Sequence, residues 1–327
     1  MITVRPGACF MKSGRIRHPF LFFLLPFCGL LFALLFWYFS PFFSPGENRR
    51  FSAYVQERFR AEVSSSALTL HYTLADPASC GILPGTASFG TVSLPNRRAY
   101  DATLQKTELQ LTSFHRNRLS AENRITLDLL LYELACEQMP GSTSTLAEPL
   151  GPSLGIQAQL PVLLAEYPFR TQQDVADYLH LLQDLPRYFS ELITLEQEKS
   201  QLGVFQNDLA VDGIIRQCNA FLADADTPET HLLHTVFRNK LLSSALFSGK
   251  EEDLCLRTHQ KLLSSCVFPA YRSLSDALLS LRGKGTGNDG GLARQEGGLS
   301  YYQYLLRSRV GVDATPEELT LLLTQLL

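Results

Sequence analysis

Histidines are the residues of this 327-residue chain whose spacing gives the clearest chemical test. The zinc site of a metallopeptidase needs two His on one face of a helix and a third metal ligand. It also needs a Glu that takes a proton from the zinc-bound water. None of the histidines of this sequence is followed by Glu, and they are His18, His71, His115, His180, His231, His234 and His259. The sequence therefore predicts no zinc-binding motif and no catalytic residue of this kind in the chain.

Two of these histidines, His231 and His234, lie three residues apart behind Glu229. At helical spacing they could face one way and share a metal ion. No third ligand is evident, so the favoured interpretation is a pair of polar residues in the first turn of a helix.

A serine pattern also needs weighing, because residues 151–155 read Gly-Pro-Ser-Leu-Gly and formally match a nucleophile elbow. That motif joins a strand to a helix through a strained turn that exposes the Ser. Pro149 precedes the motif and Pro152 lies inside it, within a chain that is otherwise helical in pattern. We interpret the match as chance.

The five cysteines beyond the apolar N-terminal segment show no Cys-x-x-Cys pair, and they are Cys80, Cys136, Cys218, Cys255 and Cys266. Their wide spacing favours buried thiols over a redox or metal motif. One disulfide remains an open alternative.

Four residues near the C-terminus could contact a ligand. Tyr301 and Tyr302 follow a glycine-rich loop and offer hydroxyls and aromatic faces, and Arg307 or Arg309 could hold a carboxylate. The competing interpretation is a Tyr-rich packing helix with solvated Arg side chains.

The N-terminus has the composition of a membrane anchor. Residues 1–18 carry four basic side chains and no acid, and the uncharged run that follows holds nine Phe and seven Leu before residue 47. A helix over residues 19–43 would measure about 37 Å, enough to span a hydrocarbon core of about 30 Å. We expect 1–18 in the cytoplasm, 19–43 across the membrane and 47–327 outside. A cleaved signal peptide is the alternative, but no small-x-small cleavage site follows the apolar run.

The rest of the composition excludes some partners. The chain has a net charge of −3, and its body beyond residue 18 is mildly acidic. Nucleic-acid binding needs a clustered positive field, so we expect no nucleic-acid partner.

Residues 148–203 organise the elements that must position these groups. Pro and Gly before Thr171 predict a long ordered loop, and Thr171 with Asp174 predicts a capped helix start. Pro186 predicts a break between two helices, and Gly203 predicts the end of the second.

Helical periodicity covers most of the remaining body, with no convincing period-two alternation. The predicted helices span residues 51–63, 97–114, 120–138, 208–223, 229–247, 253–282 with a kink at Pro269, 301–309 and 316–327. A glycine-rich loop is predicted at 283–298. The class is therefore all-α, an irregular multi-helix domain with long ordered loops. The leucines of the last helix are too dense for one buried stripe, so we expect that helix to be exposed.

Several segments of this chain resemble segments of a known family and occur in the same order. They are residues 70–77 (Leu-His-Tyr-Thr-Leu-Ala-Asp-Pro), 119–123 (Leu-Ser-Ala-Glu-Asn), 167–169 (Tyr-Pro-Phe) with 174–179, 298–302 (Gly-Leu-Ser-Tyr-Tyr) and 315–319 (Thr-Pro-Glu-Glu-Leu). Together they resemble the first half of the bacterial family called domain of unknown function 885. The resemblance implies an all-helical, gluzincin-like metallopeptidase fold, with zinc held in the second half of full-length relatives.

Two readings of function follow. In the first, the chain is a membrane-anchored, truncated member that carries the substrate groove, lacks the zinc motif and is inactive alone, with a separately encoded C-terminal half as partner. In the second, it is a complete non-catalytic helical module that binds a peptide or protein at the cell surface.

Overall fold

The computed structural model describes residues 46–82, 85–92, 94–285 and 291–326, and only the backbone of 94–98. These residues contain no β-strand, which confirms the predicted all-α class. The α-helices of the described residues are α1 Glu47–Val63, α2 Ala67–Thr73, α3 Leu94–Thr112, α4 Ala121–Gln138, α5 Ile156–Glu166, α6 Gln172–Gln201, α7 Asp208–Phe221, α8 Leu232–Ser244, α9 Lys250–Leu262, α10 Phe268–Leu281, α11 Gly298–Leu305 and α12 Pro316–Leu326. Short 3-10 turns lie at Ala78–Cys80, Arg116–Arg118, Gly141–Leu146 and Gly291–Arg294, and π-helical turns at Leu263–Val267 and Leu306–Val310.

The chain divides into two units, Met1–Arg50 and Phe51–Leu327. Of the first unit, the structure describes residues 46–50, where Arg50 donates to Glu47 at 2.9 Å within the first turn of α1. The predicted membrane anchor at 19–43 and the basic segment 1–18 lie outside the described residues. No helix in the described part of the chain is long and apolar enough to cross a membrane.

Helix α6 is the centre of the second unit. Its start is the predicted capping box, in which Asp174 N–H donates to Thr171 Oγ1 at 3.2 Å and Thr171 N–H donates to Asp174 Oδ2 at 2.8 Å. From there the helix packs against α10 and the π turn before it, and α10 also packs against α7. The main core therefore surrounds a single 30-residue helix.

The predicted break at Pro186 is wrong, because α6 runs through it without interruption. A Pro inside a helix removes one hydrogen bond and costs about 3 kcal/mol. Around it Leu182 and Leu185 are 0% exposed and Phe189 is 1% exposed. Fully burying each such side chain contributes about 1.5–3 kcal/mol, which outweighs the cost.

The predicted loop over residues 148–170 is also wrong in part, because it contains α5 with Pro161 inside it. A Pro at 161 cannot donate to the carbonyl of Gln157 one turn earlier. The buried hydroxyl of Tyr271 donates to that carbonyl instead, at 2.9 Å. A tertiary contact thus replaces the helix bond that proline removes, and no local sequence rule shows it.

Two further helix boundaries differ from prediction. The helix expected from residue 229 begins only at Leu232, with His231 as its N-cap, because Thr227 and Thr230 close a turn first. The helix expected over 253–282 begins at Lys250 and contains the π-helical turn Leu263–Val267 just before Pro269. Both a proline and a π turn are common sites of helix kinks, so the kink at Pro269 stays a prediction.

A smaller core, formed by Phe51, Leu104, Leu111, Leu119, Leu127 and Leu134, lies where α3 packs against α4. Two apolar side chains of the same helices lie outside this core and are exposed, Tyr100 at 49% and Ile125 at 62%. Helix α12 has no buried residue, and Leu321, Leu322, Leu323 and Leu326 are 52–74% exposed, as its composition predicted.

Candidate functional site

A cleft of about 910 Å³ opens between the loop at residues 146–152, the end of α6 and the segment at 204–207. The other lining residues are Thr91, Val92, Tyr100, Ala210, Gly291, Leu292, Gln295, Tyr301, Leu305 and Arg309. The lining is mainly apolar with a few polar side chains, which is the usual character of a small-molecule or peptide site.

The loop that forms one side of the cleft is held by short-range hydrogen bonds. Gly155 N–H donates to Gly151 O at 3.2 Å, and Gln157 Nε2 donates to the same carbonyl at 2.6 Å. A Cβ at Gly155 would lie 2.2 Å from Gly151 N, so only glycine permits this turn. The Gly-Pro-Ser-Leu-Gly pattern is therefore a tight loop entering α5, and no β-strand precedes it in the described chain.

A second wall of the cleft, at Thr91 and Val92, is fixed to α6 by charged side chains. Arg187 donates to Gly90 O at 2.8 Å and to Asp184 and Glu191, and Glu191 accepts from Val92 N–H at 2.8 Å. The extended segment 85–92 has no helix of its own, so these bonds position it.

Three charged residues, here called the charged trio, lie together at the loop: Glu148, Glu196 and Lys199. Lys199 Nζ donates to Glu148 Oε2 at 2.7 Å and to Ala147 O at 2.9 Å, and lies 3.9 Å from Glu196 Oε2. Lys199 is 1% exposed and Glu196 is 0% exposed, whereas the Glu148 side chain is 40% exposed and lines the cleft. Lys199 thus ties the cleft loop to the end of α6.

Burial controls the protonation of the trio's carboxyl groups. Burial raises the pKa of Glu196 to about 7, opposed by Lys199 and assisted by Glu148. Burial also raises the pKa of Glu148, again opposed by Lys199. Neither oxygen of Glu196 has a hydrogen-bond partner within the described residues, which is consistent with a carboxyl that is readily protonated.

Gln206 is a further polar group of the cleft lining. It is 9% exposed, and its Nε2 has no hydrogen-bond partner among the residues described. Gly285, in the predicted glycine-rich loop, packs on its backbone so closely that a Cβ would lie 2.2 Å from Gln206 O. The cleft therefore contains a buried donor that the described protein atoms do not satisfy.

Two of the four predicted binding residues lie at the cleft. Tyr301, 7% exposed, and Arg309, exposed, both line it. Tyr302 is 42% exposed and is not part of the lining. Arg307 lies elsewhere, 5.2 Å over the ring of Tyr132 and 3.8 Å from Asp313. The binding roles of these four residues stay predictions.

His231 and His234 lie at the start of α8, as its N-cap and in its first turn, and both are buried. His234 Nδ1 lies 3.0 Å from Nδ1 of His259, and His259 Nε2 lies 3.3 Å from the hydroxyl of Tyr178. Burial, followed by the nearby His234, lowers the pKa of His259 well below its ordinary value. Within the described residues no group of three or more His, Cys, Asp or Glu side chains is arranged to hold a metal ion. The ring nitrogens of these histidines are used as hydrogen-bond partners in the core.

The charged trio and Gln206 were missed by the sequence argument. Their spacing does contain a signal of a buried charged pair, because Glu196 and Lys199 follow Leu192 at helical intervals on one face of α6. Two charges on an apolar stripe predict a buried pair, but nothing local identifies Glu148 as its partner.

This chain is similar to a known protein family and to a solved structure. The family described as "Bacterial protein of unknown function (DUF885)" matches residues 79–325. A solved structure, described as the "putative lipoprotein from Colwellia psychrerythraea", has the same fold with a TM-score of 0.70 at 16% identity. The match covers 84% of this chain and 48% of that protein, so the chain spans about half of its length. No curated protein matches this sequence significantly.

Proposed function

Because the chain belongs to the bacterial family of unknown function DUF885, we propose that it supplies the ligand-binding cleft of a membrane-anchored, metallopeptidase-like protein. The observation that carries the proposal is the cleft itself, about 910 Å³ and mainly apolar, with Glu148, Gln206, Tyr301 and Arg309 in its lining. A volume of this size suits a peptide of a few residues.

The proposed ligand is a short peptide, and the chain binds it without cleaving it. Hydrolysis of the gluzincin kind needs a Glu next to a zinc-ligating His, and none of the His residues of this sequence is followed by Glu. The groups for such chemistry are proposed to come from a C-terminal half of the kind that full-length relatives carry. A non-catalytic binding module at the cell surface is the second candidate, and it uses the same cleft.

Peptide binding at the cleft is expected to be lost when the cleft is filled. Ala210 lies in the lining, and Ala210→Trp places an indole where the ligand would lie. We expect titration calorimetry of the full chain in detergent micelles to show binding of apolar tripeptides and at least a tenfold loss in this variant. The matched control, Ala223→Trp, changes an exposed residue just beyond the other end of α7 and should bind normally.

The same preparation tests the absence of hydrolysis. With added zinc, we expect a tripeptide library to remain intact over the period of the titration. Unchanged affinity in Ala210→Trp would contradict the cleft as the binding site. Chelator-sensitive cleavage of the library would contradict the non-catalytic part of the proposal.

Anchoring by residues 19–43 is the second part of the proposal, and it lies outside the described residues. Its support is the sequence, an uncharged run of nine Phe and seven Leu preceded by basic residues. The solved relative in fold is described as a lipoprotein, which is compatible with attachment at a cell surface but by another chemistry.

Protease added to intact spheroplasts is expected to remove the body of the chain, because residues 47–327 would lie outside the membrane. Immunoblotting against the body follows its loss, and detergent-lysed cells provide the control for protease activity. A body that resists protease in intact cells and is digested only after lysis would contradict the proposed orientation.

A further inference from the structure

The cleft offers a ligand two charged side chains, Arg309 and Glu148, and its negative charge comes from the Glu148 carboxylate. Of the charged trio, Glu148 alone lines the cleft, while Lys199 and Glu196 are 1% and 0% exposed. Glu148 Oε2 accepts a hydrogen bond from Lys199, and a carboxylate has about four lone-pair sites in all. Acceptor capacity therefore remains at the cleft, and it suits a cation or an N–H donor.

Gln206 supplies a donor in the same lining. Its Nε2 has no partner within the described part of the chain, although the side chain is only 9% exposed. Buried donors are almost always satisfied, so an unmet one on a cleft-lining side chain points to an acceptor outside the described protein atoms, which a ligand in the cleft can supply after a small side-chain movement. The segment that carries Gln206 is joined to the trio, because Val204 N–H donates to Lys199 O at 3.0 Å.

We propose that this cleft binds the amino end of a short peptide, an inference that rests on the proposed function. The α-ammonium group donates to Glu148, and the first carbonyl accepts from Gln206 Nε2. An ammonium beside a carbonyl distinguishes a peptide amino terminus from a Lys or Arg side chain, in which the cation is separated from the backbone carbonyl by a long apolar stem. Apolar residues such as Leu195 and Phe205 in the lining suit the side chains that follow.

The test is calorimetric titration of the full chain, in detergent micelles, with the tripeptide Ala-Leu-Leu and with its N-acetylated form. Acetylation removes the charge and two donors, and charge-assisted hydrogen bonds are about twice as strong as neutral ones. We expect the acetylated peptide to bind roughly tenfold more weakly or worse, which corresponds to about 1.4 kcal/mol.

Three variants test which residues cause the difference in affinity between the free and the acetylated peptide. Glu148→Gln keeps the shape of the side chain and removes its charge, so the difference between the two peptides should shrink to less than about threefold. Glu122→Gln changes an exposed carboxylate in the first turn of α4 and should preserve the full difference. Gln206→Met should weaken the binding of both peptides, because the donor to the first peptide carbonyl is lost in both complexes.

The outcomes separate this inference from the proposed function. Equal binding of the free and acetylated peptides by the unaltered chain would overturn the inference and leave the cleft as a site for internal peptide segments. Failure of every tripeptide to bind would contradict the proposed function itself. The acetylation comparison uses the unaltered chain, so it decides the question even where Glu148→Gln fails to fold.

Discussion

Lys199→Met is expected to lower the free energy of unfolding by about 3 kcal/mol, the largest effect of a single substitution at the cleft. Lys199 is 1% exposed and donates to Glu148 and to Ala147 O. Hydrogen bonds to charged groups contribute about 1.5–3 kcal/mol each, and removing one member of a buried ion pair costs about 3–5 kcal/mol. The lower end applies because the Glu148 side chain is 40% exposed and can be rehydrated.

Urea unfolding of the purified chain measures the loss, and hydrogen exchange locates it. Residues 146–150 should exchange faster, because both hydrogen bonds that join this loop to α6 through Lys199 are gone. Lys106→Met, at an exposed position of α3, is the control and should change stability by less than about 0.5 kcal/mol. A Lys199→Met variant within 1 kcal/mol of the unaltered chain would show that the trio does not anchor the cleft.

The fold follows from the sequence wherever local chemistry decides it. The Thr171 capping box was predicted from side chains that bond within their own helix turn, and it is present. Pro186 and Pro161 were misread for one physical reason. A proline breaks a helix unless burial or a tertiary hydrogen bond compensates, and residues distant in sequence, such as Tyr271, supply that compensation.

The candidate site was harder to predict than the fold, because its groups become neighbours only through packing. Glu148 and Lys199 are 51 residues apart in sequence, and the segment that carries Gln206 is joined to Lys199 by the hydrogen bond from Val204 N–H to Lys199 O. Tyr301 and Arg309 could be proposed because they follow a glycine-rich loop and carry groups that can contact a ligand. Arg307 fits the same pattern equally well and lies over Tyr132 instead. Residue type alone cannot distinguish neighbouring arginines on a short helix.

A change in the pH dependence of stability is the second large effect, and Glu196→Gln should reveal it. Burial raises the pKa of Glu196 from 4.5 to about 7 in the folded chain. Between these values the folded state holds a proton that the unfolded state has released, so this group makes stability fall as pH rises. At about 1.36 kcal/mol per pKa unit, the loss across the interval is roughly 3 kcal/mol.

Gln resembles the protonated carboxyl and does not titrate. The variant should therefore gain about 3 kcal/mol relative to the unaltered chain between pH 4.5 and pH 8, measured by urea unfolding at each pH. His259 and His234 act in the opposite direction, since burial lowers the pKa of each in the fold and their contribution is lost below about pH 6.5. Both chains contain these histidines, so their effect cancels in the difference.

Glu198→Gln is the matched control, since Glu198 lies two residues further along α6 and is partly exposed. Its stability difference from the unaltered chain should stay nearly constant with pH. A constant difference for Glu196→Gln as well would mean that Glu196 keeps an ordinary pKa in the fold. Its ionised carboxylate would then be fully compensated by Lys199, and the trio would carry one net negative charge at the cleft at neutral pH.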